Sequence, residues 1–368
     1  MGKIKKFINL ESQVTNIYIQ YMNKKECSAL RGIAIVFIML HNYCHWLPFA
    51  VPENEFSFSV EKYIQFWTVI NWDTLFIQLF SFWGHLGVSV FVLLSGYGLV
   101  LKYDNTNINW KSFIVKHYKK LCIPMILGFI TYYIVTFIIN YPTNQDLSTI
   151  IPIKRFVAQT TLIINFLPNP HRLIEPGPYW YFGLTMQLYI IYLLFIYKRS
   201  IKIITVIALC VFFFSMFLEN NPKLLISTKY NFIGWLFPFI YGIMMGRKTI
   251  VVPSIRLTYL VTGITILLIP LFGYSYYAWL LIPFLVAILA THMITIMPIS
   301  ITNMFDIIGK KSLYIFVLHP ITRELTIQYG IAGNPYIGLT IYIILTLVLA
   351  WGIDMILNII RHRTQTFK

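Results

Sequence analysis

His41 lies in the first long apolar run of the chain, ten positions after Arg31 and four before His45. A helix rises about 1.5 Å per residue, so His41 lies about 15 Å from an arginine at the membrane edge, near the middle of a bilayer. Ionisable side chains at that depth are costly and by default mark a functional site. Imidazole transfers protons near neutral pH, so His41 is the candidate general base, with a structural hydrogen bond as the alternative. For His45, nearer the membrane surface, the structural interpretation is favoured.

The second apolar run carries hydroxyl groups among small residues. Ser95 and Tyr97 stand in the sequence Leu-Ser-Gly-Tyr-Gly, where small side chains allow a helix or a substrate to approach the backbone closely. Packing alone would also explain this pattern. If the run faces His41, both hydroxyls are candidates to orient the imidazole or to stabilise an oxyanion.

A late apolar run carries a second histidine, His319, followed by Pro320. The proline removes a backbone hydrogen bond and is expected to kink the helix beside the imidazole. His319 is therefore a third candidate to orient His41 or stabilise an oxyanion. Arg323 and Glu324 follow one turn later, and as adjacent residues we expect them to pair with polar groups on other helices, or to reach the outer interface, rather than to pair with each other.

A basic cluster, Lys116, Lys119 and Lys120, precedes Pro124 at the start of the third apolar run. By itself the cluster is best explained as an anchor at the membrane surface. The functional alternative is a clamp for the phosphates of a nucleotide-bearing donor, because Lys and Arg bind phosphate through charge-assisted hydrogen bonds. Arg31, also at a membrane edge, would face the same donor.

The composition places these residues in a membrane protein. Hydrophobic residues make up 58% of the 368 positions and charged residues only 11%, whereas a soluble domain has about 25% charged residues. The net charge of +16 reflects the basic residues that accumulate in cytoplasmic loops, so we expect no nucleic-acid partner. The cysteines and histidines lack the spacing of metal ligands, and no metal site is predicted.

The apolar segments predict an all-α, polytopic membrane bundle of about ten transmembrane helices, because each is long enough to cross a bilayer. The predicted spans are 31–47, 84–101, 121–140, 179–197, 203–218, 230–246, 257–272, 276–297, 312–329 and 335–358. Two less apolar stretches, 64–82 and 155–167, are expected to be interfacial or re-entrant helices. The chain, 1–368, is then a single membrane domain with a cytoplasmic tail, 1–28, and no fused soluble domain.

The distribution of positive charge predicts the orientation of these spans. With ten spans and the N-terminus inside, 22 of the 29 Lys and Arg residues fall in cytoplasmic segments. Positive residues are retained on the cytoplasmic side during insertion. Both termini are therefore expected to be cytoplasmic, and the basic cluster lies on the side where a cytoplasmic donor would bind.

Together, these motifs resemble the acyltransferase-3 family of integral membrane acyltransferases. The motifs are, in order, Arg31-Gly-Ile-Ala-Ile followed by a histidine, Gly84-x-Leu-Gly-Val-x-Val-Phe-Val-Leu-Leu-Ser95-Gly96-Tyr97, the basic run into Pro124, Tyr179-Trp180-Tyr181 with Gln187 and Tyr189 beyond it, and Leu318-His319-Pro320. Each motif alone is weak, but their order and spacing over nearly the whole chain are fairly specific. Family members often have ten residues between the arginine and the histidine, whereas this chain has nine, and Asn42 holds the commoner position.

The resemblance implies transfer of an acyl group, most often acetyl, from cytoplasmic acyl-CoA to a hydroxyl of an extracytoplasmic glycan such as a surface polysaccharide. His41 and Arg31 take the places of the family's essential histidine and its partner arginine, and His41 would act as general base or as transient acyl carrier. The donor phosphates are expected on Arg31, Lys116, Lys119 and Lys120. No tightly bound cofactor is expected, because acyl-CoA, most simply acetyl-CoA, is a substrate. The expected partners are the lipid bilayer, a glycan or lipid-linked glycan and envelope-synthesis proteins, in a bacterial inner or plasma membrane.

Two other classes of membrane protein share this composition. A transporter or flippase of lipid-linked sugars also places polar residues at mid-membrane depth, but it often shows inverted repeats, and the sequence has no recognisable internal repeat. A structural or sensor protein would tolerate the loss of His41. Acyl transfer by the purified protein distinguishes the enzyme from both.

Overall fold

The computed structural model describes residues 22–53, 59–140, 153–218, 221–247 and 254–366. Within these ranges the chain is helical and has no strand, which confirms the all-α prediction. The α-helices are α1 Lys24–Cys44, α2 Val60–Val69, α3 Leu75–Trp83, α4 Gly87–Tyr103, α5 Trp110–Asn140, α6 Ile153–Thr160, α7 Pro170–Leu173, α8 Trp180–Ile191, α9 Ile201–Leu218, α10 Pro222–Lys229, α11 Phe232–Arg247, α12 Ile255–Phe272, α13 Tyr276–Ile296, α14 Ile299–Lys310, α15 Ser312–Ala332 and α16 Pro335–Thr366.

Among the described residues, eight helical segments are long and apolar enough to cross a membrane. They are Lys24–Cys44, Leu75–Tyr103, Trp110–Ile138, Gly177–Ile196, Ile201–Leu218, Ile255–Phe272, Ala278–Ile296 and Pro335–Ile356. Each coincides with one of the ten predicted spans, which confirms a polytopic helical membrane protein. The other two predicted spans, 230–246 and 312–329, fall on α11 and α15. Helix α11 has 16 residues and is therefore about 24 Å long.

The two segments predicted to be interfacial or re-entrant differ from each other. For 64–82 the prediction is wrong in its second half, because α3 continues through a short 3₁₀ turn into α4 and extends the second span. The first half falls on α2, a separate helix of 10 residues. Within 155–167, α6 has 8 residues, about 12 Å, which is too short to cross a bilayer.

Helix α1, which carries the arginine and the histidine of the first motif, packs against α3, α4, α14 and α15. It begins with a capping box, in which the Asn23 side chain accepts from the Glu26 backbone N–H at 2.9 Å and the Glu26 carboxylate accepts from the Asn23 N–H at 2.8 Å. Its contact with α14 is close because Gly32 has no side chain. A Cβ at that position would come within 3.0 Å of the Gly309 backbone nitrogen. These contacts fix the rotation of α1 and so the direction in which its functional side chains point.

An ion pair joins the end of α4 to the end of α11. Arg247 Nε donates to Asp104 Oδ2 at 2.6 Å and Nη2 donates to Oδ1 at 3.0 Å, while other N–H groups of Arg247 donate to the carbonyls of Arg199 and Ile196. We expect Arg247→Ala to lower the free energy of unfolding by about 2 kcal/mol, because it leaves a largely buried carboxylate without its cation. Thermal unfolding in detergent measures this change. Arg256→Ala, at an exposed arginine on α12, is the control, and an equal shift in both variants would contradict the prediction.

Candidate active site

Two cavities adjoin α1. The first, which we call the histidine cavity, has a volume of 250 Å³. It is lined by Ile38, His41, Asn42, His45, Trp46, His85, Val88, Ile174, Gly177, Pro178, Trp180, Tyr181, Tyr230, Phe316 and Arg323. The second, which we call the basic cavity, has a volume of 570 Å³, and its lining includes four cations, Arg31, Lys102, Lys120 and Lys310.

The order of the lining residues along the helices places the cavities one after the other through the bundle. On α1, Ser28 and Arg31 line the basic cavity, His41 and His45 line the histidine cavity, and Ile38 lines both. The same order holds on α15, and it is reversed on α4 and α8. Positions 28 and 45 are about 25 Å apart along a helix. The two cavities therefore approach each other from opposite ends of α1.

His41 is half-buried, and its ring has a defined hydrogen bond. Nδ1 lies 3.1 Å from the Phe80 carbonyl oxygen. A carbonyl can only accept, so Nδ1 carries the proton and Nε2 is the basic nitrogen of the neutral ring. The second span approaches this site through Gly84, where a Cβ would lie 2.8 Å from the Cβ of His41. The small residue at this position is thus explained by its contact with the candidate base.

Two further histidines lie beside His41 in the histidine cavity. Their ring centroids are 5.0 Å from His41 for His45 and 5.3 Å for His85. His85 is 2% exposed, and neither of its ring nitrogens makes a hydrogen bond within the described ranges. Sequence reasoning missed it, although an ionisable residue within an apolar run is a recognisable signal. Burial, with the positive charges of Lys62 and Arg323, lowers the pKa of His45 to about 4, so this histidine is neutral near pH 7.

A guanidinium also faces the histidine cavity. Arg323 is 7% exposed, its Nη1 donates to Asn42 Oδ1 at 2.7 Å, and its Cζ lies 4.5 Å from the centroid of the Trp46 ring. It also pairs with Glu324. The expectation that these adjacent residues avoid each other is therefore wrong, while the expected contact with another helix is present. Asn42, at the commoner family position for the histidine, lines the same cavity as His41.

The three residues predicted to assist His41 are not gathered around it. Ser95 lines the basic cavity, and its hydroxyl donates to the carbonyl four residues earlier at 2.9 Å. Tyr97 is 2% exposed, and its hydroxyl hydrogen-bonds with the backbone of Met22. His319 is fully buried, with Nδ1 donating to the carbonyl four residues earlier at 3.1 Å. Tyr97 and His319 line neither cavity, so neither contacts the space that His41 faces.

The predicted donor-binding cations divide into two groups. Arg31 and Lys120 line the basic cavity, whereas Lys116 and Lys119 do not. On α5, Lys119 is rotated by about 100° from Lys120, and Lys116 lies about 6 Å, one turn, further along the axis. The sequence interpretation missed Lys102, which comes from α4 and completes this side of the cavity.

Most of the cations in the basic cavity have no counter-ion within the part of the chain that the structure describes. Lys310 pairs with Asp306 at 2.7 Å, but Arg31, Lys102 and Lys120 form no ion pair there. No carboxylate is among the residues that line the cavity. Clustered positive charge without compensation raises the local potential and attracts anions.

The side chains of the histidine cavity define the chemistry that it can support. Within the described ranges, no group of three or more His, Cys, Asp or Glu side chains is placed to hold a metal ion. What the cavity offers is a neutral imidazole with a basic Nε2 and a nearby guanidinium. Such a pair can take a proton from a hydroxyl and stabilise the negative charge that develops when that hydroxyl attacks a carbonyl.

Comparison with known proteins gives one match. The family described as "Acyltransferase domain", the acyltransferase-3 family, matches residues 25–355, nearly the whole chain. No curated protein and no solved structure matches this chain. The matched range includes all the residues that line the two cavities. The chain therefore belongs to the acyltransferase-3 family and is a membrane acyltransferase.

Proposed function

We propose that the protein is an acyl-CoA-dependent O-acyltransferase that moves a short acyl group, most simply acetyl, onto a hydroxyl of an extracytoplasmic glycan. The observation that carries this proposal is the arrangement of the two cavities. One contains a cluster of cations that suits a phosphorylated donor, and the other contains His41 and aromatic side chains. They meet at Ile38, Tyr181 and Phe316, which line both.

The basic cavity is the proposed donor site. Coenzyme A carries several phosphate groups. These suit Arg31, Lys102 and Lys120, which form no ion pair with any described residue, because charge-assisted hydrogen bonds to phosphate are strong. The volume of 570 Å³ falls in the usual range for a site that holds a small molecule, about 300–1,000 Å³. The donor would lie on the cytoplasmic side, as the positive-inside rule predicts.

His41 is the proposed general base. Nε2 takes the proton of the acceptor hydroxyl while the oxygen attacks the thioester carbon, the carbonyl π bond opens, and a tetrahedral oxyanion forms. When the carbonyl re-forms, the carbon–sulfur bond breaks, and the protonated His41 returns the proton to the leaving thiolate. Alternatively, Nε2 attacks the thioester carbon, the carbon–sulfur bond breaks and the thiolate leaves. The acceptor oxygen then attacks the acyl carbon, the carbon–nitrogen bond breaks to restore the imidazole, and the hydroxyl proton goes to the thiolate. The guanidinium of Arg323 is the charge in this cavity that favours the oxyanion.

The size and lining of the histidine cavity support a short acyl group and a sugar. A volume of 250 Å³ lies below the usual range for small-molecule sites, so little space remains for a long chain beside the acceptor. Trp46 is 55% exposed and lines the cavity, as do Trp180 and Tyr230. Aromatic rings with one apolar face and one wet edge suit the alternating apolar and polar surfaces of a sugar. A glycan or lipid-linked glycan of a bacterial cell envelope is the acceptor that fits the proposal.

The direct test is transfer by the purified protein. Acyl-CoA and a hexose-containing acceptor are incubated with the protein in detergent, thiol release is followed, and the product mass is measured. The proposal expects a gain of one acyl group on the acceptor with one free thiol formed per transfer. Thiol release without an acylated glycan would exclude a glycan as the acceptor. The absence of a reaction with any acyl-CoA would exclude acyl-CoA as the donor.

The orientation of the bundle can be tested by cysteine labelling. The turn after α4, at the basic cavity, is probed with Asn105→Cys. The turn before α3, the helix whose Phe80 carbonyl His41 contacts, is probed with Trp72→Cys, and both variants have a Cys210→Ser background. Both positions are exposed. We expect an impermeant thiol reagent added outside cells to modify position 72 and not position 105. The reverse pattern would place the basic cavity outside and contradict a cytoplasmic donor.

A further inference from the structure

Three side chains from three helices separate the two cavities. Ile38 of α1, Tyr181 of α8 and Phe316 of α15 line both cavities, and among the described residues no others do. Ile38 is 5% exposed and Phe316 is 6% exposed. The rings of Tyr181 and Phe316 meet edge to face with their centroids 5.5 Å apart. We call these three residues the septum.

The position of the septum matters because it lies beside the candidate base. Ile38 is three residues, about 4.5 Å, before His41 along α1. A donor whose phosphates occupy the basic cavity must extend its pantetheine arm past the septum to bring the thioester carbon to His41. The acyl tail then lies beyond the septum, in the 250 Å³ that the acceptor also occupies.

We propose that the septum selects the donor by the length of its acyl chain, and that the ring of Phe316 is the main obstacle to longer chains. This inference rests on the proposed function, because it assumes that an acyl-CoA enters from the basic cavity. A close-packed aromatic pair excludes extra methylene groups, since overpacking a filled space forces side chains from their preferred positions. Phe316 also lines the histidine cavity, so removal of its ring should enlarge the space in which the acyl tail lies, while Tyr181 and Ile38 still separate the two cavities.

The first test compares donors of different length. In wild type, kcat/KM should fall by about tenfold or more from acetyl-CoA to hexanoyl-CoA, because one poorly fitting methylene commonly costs at least that factor. In Phe316→Ala the ratio of hexanoyl to acetyl transfer should rise by about tenfold. Phe316→Leu, which keeps more bulk, should give a smaller rise in the same direction and provides a second variant if the alanine protein does not fold.

Phe129→Ala is the matched control. Phe129 is 0% exposed and lines neither cavity. It therefore tests the loss of a fully buried ring without changing the septum or the donor site. The preference for chain length in Phe129→Ala should stay that of the wild type. Equal changes in the two alanine variants, or none in the Phe316 variants, would overturn the proposal.

A second test does not depend on activity. Single cysteines are introduced as Ile38→Cys, Leu94→Cys and Val88→Cys in a Cys210→Ser background, and sealed vesicles of both orientations are treated with a small impermeant methanethiosulfonate. Leu94 lines only the basic cavity and Val88 only the histidine cavity. We expect the thiol at position 38 to react from both faces of the membrane, and those at 94 and 88 from opposite single faces.

The two tests separate the septum from the proposed function. A thiol at position 38 that reacts from one face only would overturn the septum, whatever the activity of the protein. Labelling as expected, with no transfer from any acyl-CoA, would support the septum as the boundary and overturn both the proposed function and the selection of donors. Transfer with a changed chain-length preference only in the Phe316 variants supports the whole inference.

Discussion

Replacing His41 with alanine should abolish acyl transfer while the helical bundle remains folded and inserted. A general base contributes about 10²–10⁴-fold to the rate, and an acyl carrier would be indispensable. The structural cost is small, because the half-buried ring makes one hydrogen bond, to the Phe80 carbonyl, and such a bond is worth about 1 kcal/mol. The loss of activity should therefore far exceed any loss of stability.

The measurement is the initial rate of acyl-product formation, with the yield and thermal midpoint of each purified variant recorded beside it. His292→Ala is the control, because His292 also lies in an apolar helix, hydrogen-bonds to the carbonyl four residues earlier at 3.0 Å and lines neither cavity. Its rate should match the wild type. His45→Ala, at the same cavity as His41, should fall between the two. Near-normal transfer by His41→Ala would remove this residue from the mechanism.

The same variant separates the two roles left open for His41. Wild-type protein is incubated with labelled acyl-CoA and no acceptor, and the protein is examined for a covalently bound acyl group. If the wild type is labelled and His41→Ala is not, Nε2 of His41 carries the acyl group. If the wild type is active but unlabelled, His41 acts as a base.

The membrane-spanning helices could be predicted because their signal is local. A run of apolar residues long enough to cross a bilayer specifies a helix without reference to the rest of the chain, and eight predicted spans were confirmed in this way. The prediction for segment 75–83 was wrong because the segment does not lie alone at the interface. It continues through a 3₁₀ turn into α4, and the two helices together form one span. Boundaries of this kind depend on tertiary contacts.

The candidate site was only partly predictable, because the sequence does not say which face of each helix turns inward. His41 could be singled out by its depth, but Lys119 and Lys120 are neighbours in sequence and only Lys120 lines the basic cavity. Tyr97 lies in a family motif, yet its hydroxyl bonds to the backbone near the start of α1. His85 begins the predicted span 84–101, and only the extension of that span back to Leu75 places it well inside the membrane. What selects among such residues is long-range packing, which a single sequence does not show.

The donor site leads to the second large effect. In the double variant Lys102→Ala/Lys120→Ala, we expect the KM for acyl-CoA to rise by about 100-fold while kcat changes by only a few fold. Each charge-assisted contact to phosphate is worth about 1.5 kcal/mol, or roughly tenfold in affinity. The phosphates are remote from the reacting thioester, so these contacts stabilise the ground state and the transition state equally. Their loss therefore raises KM and leaves kcat nearly unchanged.

The matched control is Lys116→Ala/Lys119→Ala, which removes the same net charge from the same end of the bundle but from two lysines outside the basic cavity. Its KM should stay within a few fold of the wild type. Steady-state rates over a range of acyl-CoA concentrations, at low and at physiological salt, measure both variants, because a general surface potential is screened within about 10 Å whereas direct contacts are screened less. If the two double variants raise KM equally, and salt removes the effect in both, the lysines act through net charge and the basic cavity does not hold the phosphates. A selective rise in Lys102→Ala/Lys120→Ala that persists in salt would place the donor in this cavity, at the opposite end of α1 from His41.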